Sequence, residues 1–215
     1  MRILGHWGLV LAAALVAGAS YAAQLTRVQA LKAVEQPEAS TRLAGVERLA
    51  EIGRMADADR LLSRLGDTDP QVRVFTVAAI WRIWSRSGDP AIDRLFARGL
   101  AQMQASALDD ALATFNEIVR RKPTFAEGWN KRATVYFLLG QNEKSLKDCD
   151  EVLKRNRNHF GALSGAGQIH LQLGNAQLAL EFFRRAVDVN PNLEVPAQMI
   201  PMLEQHLRDK GRNTT

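Results

Sequence analysis

The sequence predicts an all-α protein, a solenoid of paired helices, and three observations lead there. Residue types recur at a spacing of 34 between Ile92 and Pro191: Ala111, Ser145 and Ala179; Phe115, Cys149 and Phe183; Leu112, Leu146 and Leu180; Gly140 and Gly174. A period of that length, made of two helix-sized halves, marks repeats that bury a face only by stacking on one another. Pro and Gly are few, at 7 and 15 in 215 residues, and runs of alternating β-branched residues are scarce, which favours helix over strand. Asp-Pro occurs twice ahead of apolar runs, at Asp69-Pro70 and Asp89-Pro90, pairing an N-cap acid with proline at the first helical position.

The N-terminus reads differently. After Arg2 a run from Ile3 to Val16 carries no charged side chain, and Ser20-Tyr21-Ala22 precedes Ala23, the pattern of a signal peptide with small residues before the cleavage site. Cleavage after Ala22 is expected. The alternative is an uncleaved anchor, because Ile3 to Ala23 is close to the ~20 residues that span a bilayer. Without residues 1–22 the chain keeps 27 basic and 23 acidic side chains, a net charge of +4. This mild, scattered basicity points away from nucleic acid and suits an envelope with anionic lipid or acidic partners. The single cysteine, Cys149, cannot form an intramolecular disulfide, and its register with Phe115 and Phe183 predicts a buried apolar role.

Along the mature chain, a short helix is expected from Gln24 to about Val34, stopped by Pro37. A second starts near Ser40, with Leu43, Val46, Leu49, Ala50 and Ile52 in a stripe and Gly53 at its C-cap; a third spans about Ala56 to Leu65, burying Leu61, Leu62 and Leu65. The helix from Pro70 carries Val72, Phe75, Val77, Ala79, Ile80, Ile83 and Trp84 on more than one face, which predicts neighbours on two sides. The segments from Thr41 and from Val72 match at a spacing of 31, pairing Arg42 with Arg73, Val46 with Val77, Leu49 with Ile80 and Ile52 with Ile83. DTDPQVRVFTVAAI, with its Asp-Pro, Val-Arg and small-residue helix, resembles the start of a HEAT-type repeat; a plain helical hairpin is the alternative. Residues 23–91 are thus a HEAT-like N-terminal cap, joined without a flexible linker to the 34-residue units, so that one continuous superhelix is expected.

The units Ile92–Phe125, Ala126–His159 and Phe160–Leu193 resemble tetratricopeptide repeats, a resemblance that implies a right-handed α-α superhelix. The second supplies Trp129, Ala133, Tyr136, Ser145, Cys149 and Val152; the third Leu163, Gly167, His170, Ala179, Phe183, Ala186 and Pro191; the first Leu95, Gly99, Gln102, Ala111, Phe115, Ile118 and Pro123. Close helix crossings are expected where Gly99 meets Ala111, Ala133 meets Ser145 and Gly167 meets Ala179. Gly140 and Gly174 suit a left-handed turn, and Ser106 in that register predicts a looser one. Arg157 stands where the pattern has Pro, which predicts a second helix that runs on. His170 is expected to be packed, His159 and His206 to be solvent-accessible and unpaired. Residues 192–210 read as a capping helix with Val195, Met199, Met202, Leu203 and Leu207 at helical spacing and Pro201 inside it, and 211–215 as a disordered tail.

The resemblance implies a concave groove lined by the first helices. Its positions fall on Asp93, Phe96, Ala97, Leu100, Met103 and Gln104, then on Glu127, Asn130, Lys131, Thr134, Phe137 and Leu138, then on Gly161, Ser164, Gly165, Gln168, Leu171 and Gln172. Phe96, Leu100, Asn130, Lys131, Thr134, Phe137, Ser164 and Gln168 are the candidate binding residues. The Lys/Asn/Arg carboxylate clamp of chaperone-binding members is missing, since Phe96, Leu100, Ser164 and Gln168 occupy its positions. Mixed apolar and amide groups suit a peptide or amphipathic helix of a protein partner. Nucleophile elbows, phosphate loops and zinc spacings are absent from the sequence, so neither enzyme activity nor a metal or other cofactor is expected; Asp148, Asp150 and Glu151, flanked by Lys147 and Lys154, read as a solvated face. The expected function is a non-enzymatic adaptor or scaffold of the bacterial cell envelope, exported to the periplasm. The alternatives are a factor associated with the inner membrane through its N-terminal segment, and an anionic-polymer binder using Arg120, Arg121, Lys122, Lys154, Arg155 and Arg157.

Overall fold

The computed structural model describes residues 22–212, so the signal-type segment lies outside the described residues except for Ala22. The chain divides into two compact units between Arg86 and Ser87.

In the first unit, α1 (Arg27–Ala33) opens on a reciprocal capping box between Thr26 and Gln29, which satisfies donors that a helix start leaves unpaired. It packs on α2 (Ala39–Ile52), which in turn packs on α4 (Pro70–Trp84). The expected third helix is broken: α3 covers only Ala58–Leu62, between the 3-10 turns Met55–Asp57 and Ser63–Gly66. Leu61 and Leu65 are buried and Leu62 is half-buried. Gly53 does cap α2, but in extended backbone (φ −63°, ψ 152°) rather than the left-handed form.

Asp69 caps α4 by accepting from the Gln71 and Val72 amides, with Pro70 at the first position. The helix buries one face, through Val72, Thr76, Ala79, Ile80, Ile83 and Trp84, while Phe75 is exposed; two-sided burial is not found within this unit. The matched arginines do related work. Arg42 donates to both Asp67 oxygens, Nε–Oδ2 2.8 Å and Nη2–Oδ1 2.7 Å, and to the Gln36 and Pro37 carbonyls. Arg73 donates to the Asp67 and Thr68 carbonyls. Each guanidinium thus ties down the loop entering its own helix, and Arg42 holds the Asp67 carboxyl below the ordinary carboxylate range.

The second unit is three helical hairpins and a last helix: α5 (Pro90–Gln104) with α6 (Leu108–Arg121), α7 (Ala126–Leu138) with α8 (Asn142–Arg155), α9 (Phe160–Gln172) with α10 (Ala176–Val189), and α11 (Glu194–Arg212). Each second helix packs on the first helix of the next hairpin, and α10 on α11. The first core joins Ile92, Phe96, Ala111, Phe115, Ile118, Phe125 and Val135. The last joins Ala179, Leu180, Phe183 and Leu203, with Met199, Ile200 and Leu207 against it. Met202 and Val195 face water instead, and Pro201 neither delays nor ends α11, which runs on through Gly211 and Arg212. Gly211 and Arg212 are therefore helical, which corrects the expected disorder at those two positions; residues 213–215 lie outside the described residues.

The three intra-repeat turns are alike. Gly140 and Gly174 lie at φ +71° and +73°, as expected, and Ser106 adopts the same form at +58°. The amides after them donate to Gln102, Tyr136 and His170 at 2.9, 2.8 and 2.8 Å. The first turn is therefore not loosened by serine; it holds its shape with a residue that disfavours it. Nor does Arg157 lengthen α8, which has the same 14 residues as α6 and α10 and ends at an Asn156 cap, as α10 ends at Asn190.

Ala133 meets Ser145 as expected, while the atoms nearest to Gly99 and Gly167 belong to the aromatic residues Phe115 and Phe183. A Cβ on Gly99 would stand 2.7 Å from the Phe115 ring, and one on Gly167 2.6 Å from the Phe183 ring. The eighth position is small because an aromatic at the twenty-fourth fills its space. In the second hairpin Ala133 faces Cys149, and Ser145 Oγ donates to the Ala133 carbonyl at 2.7 Å.

Candidate functional site

The first helices α7 and α9 are neighbours, so their exposed faces form one wall with that of α5 in the same stack. The structure sorts the expected groove residues into two groups. Leu100, Thr134, Phe137, Ser164 and Gln168 are half-buried. They leave a surface of apolar and amide groups, to which Leu138 adds an exposed side chain. Phe96 is 4% exposed and packs edge-on against Phe115 and Phe125, so it belongs to the core and not to the groove. Asn130 is also buried.

Asn130 and Lys131 are engaged by a side chain of their own helix. Glu127, 1% exposed, accepts from Asn130 Nδ2 at 3.1 Å on each oxygen, pairs with Lys131 Nζ at 3.1 Å, and meets His159 Nε2 at 2.9 Å. Burial alone would push this carboxyl up, but the His159 hydrogen bond, with Lys131 and Asn130, overcomes it and holds the group below its ordinary range. His159 is wholly buried, which corrects the expectation of an exposed, unpaired side chain. Its Nδ1 accepts from the Ala162 amide at 3.1 Å and caps α9, so Nε2 carries the proton given to Glu127. Sequence reasoning missed this pair, although a signal was present: His159 stands one period after Phe125, a core residue. His170 is packed as expected, stacked on Phe182 with centroids 5.4 Å apart.

Where α7 and α8 turn outward together, cations and rings alternate. Arg155 and Arg132 lie 4.7 and 4.8 Å from the Trp129 centroid, and Arg132 and Lys144 lie 5.6 and 5.5 Å from that of Tyr136. Arg132 is fixed by Asp148 through two bonds of 2.7 Å. Asp148 is therefore a buried ion-pair partner, not part of a solvated acidic face. The open cleft here, about 470 Å³, is lined by Trp129, Arg132, Tyr136 and Lys147 among others. Several cations offered for an anionic polymer are already paired: Lys154 and Arg155 with Glu151, and Arg121 with Glu117. Cys149 is buried, and burial with the charges of Asp148 and Asp150 pushes its thiol up to about 12, which makes it inert. Among the described residues no group of His, Cys, Asp and Glu is arranged to hold a metal ion, and no helix is long and apolar enough to cross a membrane.

Stacked helical hairpins with a half-apolar inner wall define the second unit as a helical-repeat interaction module. Residues 130–193 match the tetratricopeptide repeat family. A TPR repeat-containing protein of Rhizobium etli is 33% identical over 150 residues, covering 69% of this chain and 74% of that protein. The chain belongs to the tetratricopeptide repeat family. Among solved structures, the Sgt2 TPR domain from Aspergillus fumigatus superposes with a TM-score of 0.54 at 18% identity, over 59% of this chain and 85% of that one. The first TPR of Spaghetti (RPAP3), solved bound to an HSP90 peptide, gives 0.52 at 20% identity, over 54% and 93%. These superpositions show the shared fold, a TPR solenoid. Tetratricopeptide repeat proteins mediate protein–protein interaction.

Proposed function

We propose that this protein is a non-enzymatic adaptor of the bacterial cell envelope that holds a peptide or helix of a protein partner in the groove of its repeats. The observation that carries the reading is the half-open wall of Leu100, Thr134, Phe137, Ser164 and Gln168, whose apolar groups can bury partner side chains while the amide fixes backbone groups. The RPAP3 domain, which shares the fold, is bound to a peptide, and the Rhizobium etli relative is bacterial. Export to the periplasm rests on the apolar N-terminal run and Ser20-Tyr21-Ala22.

Affinity capture from envelope extracts tests the groove. Changing Phe137 and Gln168 to Ala in one chain is expected to lower partner recovery at least tenfold, about 1.4 kcal/mol; equal recovery would reject the assignment. Asn130 is left unchanged because it is a buried part of the fold. N-terminal sequencing of the mature protein tests export with cleavage: an end at Ala23 is expected, and an end at Met1 would favour the membrane-associated alternative. The anionic-polymer alternative has less support, since three of its six cations are ion-paired.

A further inference from the structure

We infer that Gly165 is the point at which a partner's main chain lies against the groove, and that the groove holds there an extended, uncharged peptide segment, bound through its backbone by Ser164 and Gln168. The inference rests on the groove reading and deepens it, choosing an extended occupant over a helical one.

Gly165 lies in the middle of α9, on its half-exposed face. Glycine weakens a helix interior relative to alanine, so its presence there calls for a reason. Gly167, on the same helix, has one inside the chain, because a Cβ there would press on the Phe183 ring. Gly140 and Gly174 have another in their left-handed backbone. Gly165 has neither: its backbone is not left-handed, and a Cβ built on it meets nothing within 4 Å. The space left by the missing side chain is therefore open to the groove. A peptide backbone can come into van der Waals contact with the helix at this point.

The neighbours of Gly165 decide the form of the occupant. Ser164 and Gln168 stand one turn apart on the same face. Both are half-buried, and among the described residues neither side chain makes a hydrogen bond. Together they offer a hydroxyl, an amide donor and an amide acceptor. A helix satisfies its own backbone groups, whereas an extended segment brings N–H and C=O groups that need such partners. Its side chains alternate in direction, and Phe137 and Leu138 of the neighbouring α7 are apolar partners for one set. None of these wall residues is charged, and the Lys131 ammonium beside them is paired with Glu127 at 3.1 Å. The wall thus matches an uncharged segment.

The test uses an array of N-acetylated, C-amidated hexapeptides built from uncharged residues, too short to form a helix alone in water. The full mature chain is applied, and the peptides it retains are titrated into it by fluorescence anisotropy. Saturable binding that is insensitive to salt is expected. Gly165→Leu should weaken it at least tenfold and Gly165→Ala by a smaller factor. N-methylation of a central backbone amide of the peptide should also weaken it severalfold. Gly165→Ala is expected to raise the melting temperature of the free chain, because its methyl group enters open space. Affinity that falls while stability rises is a result that a glycine needed only for packing does not give. The inference is overturned if no hexapeptide binds saturably, if retained peptides bind Gly165→Leu as tightly as the wild type, or if N-methylation at every position leaves affinity unchanged. Should Gly165→Leu fail to fold, Gly165→Ala decides by the same comparison. Failure of the groove reading shows elsewhere, as partner capture indifferent to the Phe137 and Gln168 substitutions.

Discussion

Ser106 holds φ +58° in a turn whose counterparts are Gly140 and Gly174. An L-residue in that conformation costs roughly 1–2 kcal/mol, and glycine gives back part of this in chain entropy. Ser106→Gly is therefore expected to stabilise the protein by about 0.5–1 kcal/mol, read from urea denaturation at constant slope; a loss of stability would contradict the turn assignment. Glu127 sets a pH dependence of definite sign. Its folded carboxyl is held below the ordinary value, so its contribution is present above the unfolded value near ~4.3 and is lost as pH falls through the lower folded value. Asp67, paired with Arg42, acts in the same direction. Melting temperature should fall across that acid range in the wild type and fall less steeply in Glu127→Gln. These two residues also separate what the sequence discloses from what it hides. The left-handed glycines and the Asp-Pro caps are local signals and were legible. Glu127 and His159 are 32 positions apart, and the register that sets His159 against Phe125 does not name its partner; only the packing of α7 against the start of α9 brings the two together.

Within the hairpins, facing positions share a fixed volume. Glycine opposes phenylalanine at Gly99 with Phe115 and at Gly167 with Phe183, whereas alanine opposes cysteine at Ala133 with Cys149. The 34-residue register disclosed which positions are small and which are large. It did not disclose that they compensate one another, because that depends on the angle at which the helices cross. Cys149→Phe alone is expected to destabilise by about 1–3 kcal/mol through overpacking, and Ala133→Gly added to it should restore most of the loss. A double-mutant cycle by thermal or urea unfolding measures the coupling; strict additivity would show that the two do not share space. At the end of the array, α11 covers Leu180 and Phe183 with Leu203. Leu203→Ala should cost about 2–4 kcal/mol in the same measurement.

For the whole molecule, the sequence disclosed an all-α chain with repeats after residue 91, and the structure divides it close by, between Arg86 and Ser87. The groove was legible as a set of positions, and its chemistry was not. Family register counts Phe96, Asn130 and Glu127 as inner-wall residues, but the aromatic cluster around Phe125 draws in the first and the His159 link draws in the other two. What is left to a partner is less charged than the register alone implies.

The tie between Glu127 and His159 has a further consequence for how the array comes apart. A stack of repeats behaves as a chain of links, each with its own nearest-neighbour energy. The other links add exposed polar ties to their apolar contact, Arg132 to Asn116 and Arg184 to Glu204, but the one between the second and third hairpins joins a buried carboxylate to the residue that starts the next helix. Opening that link would break the directional His159 bond to Glu127 in addition to parting apolar surface. The second and third hairpins should accordingly exchange their amide hydrogens as a single block, with the first hairpin and α11 opening ahead of them.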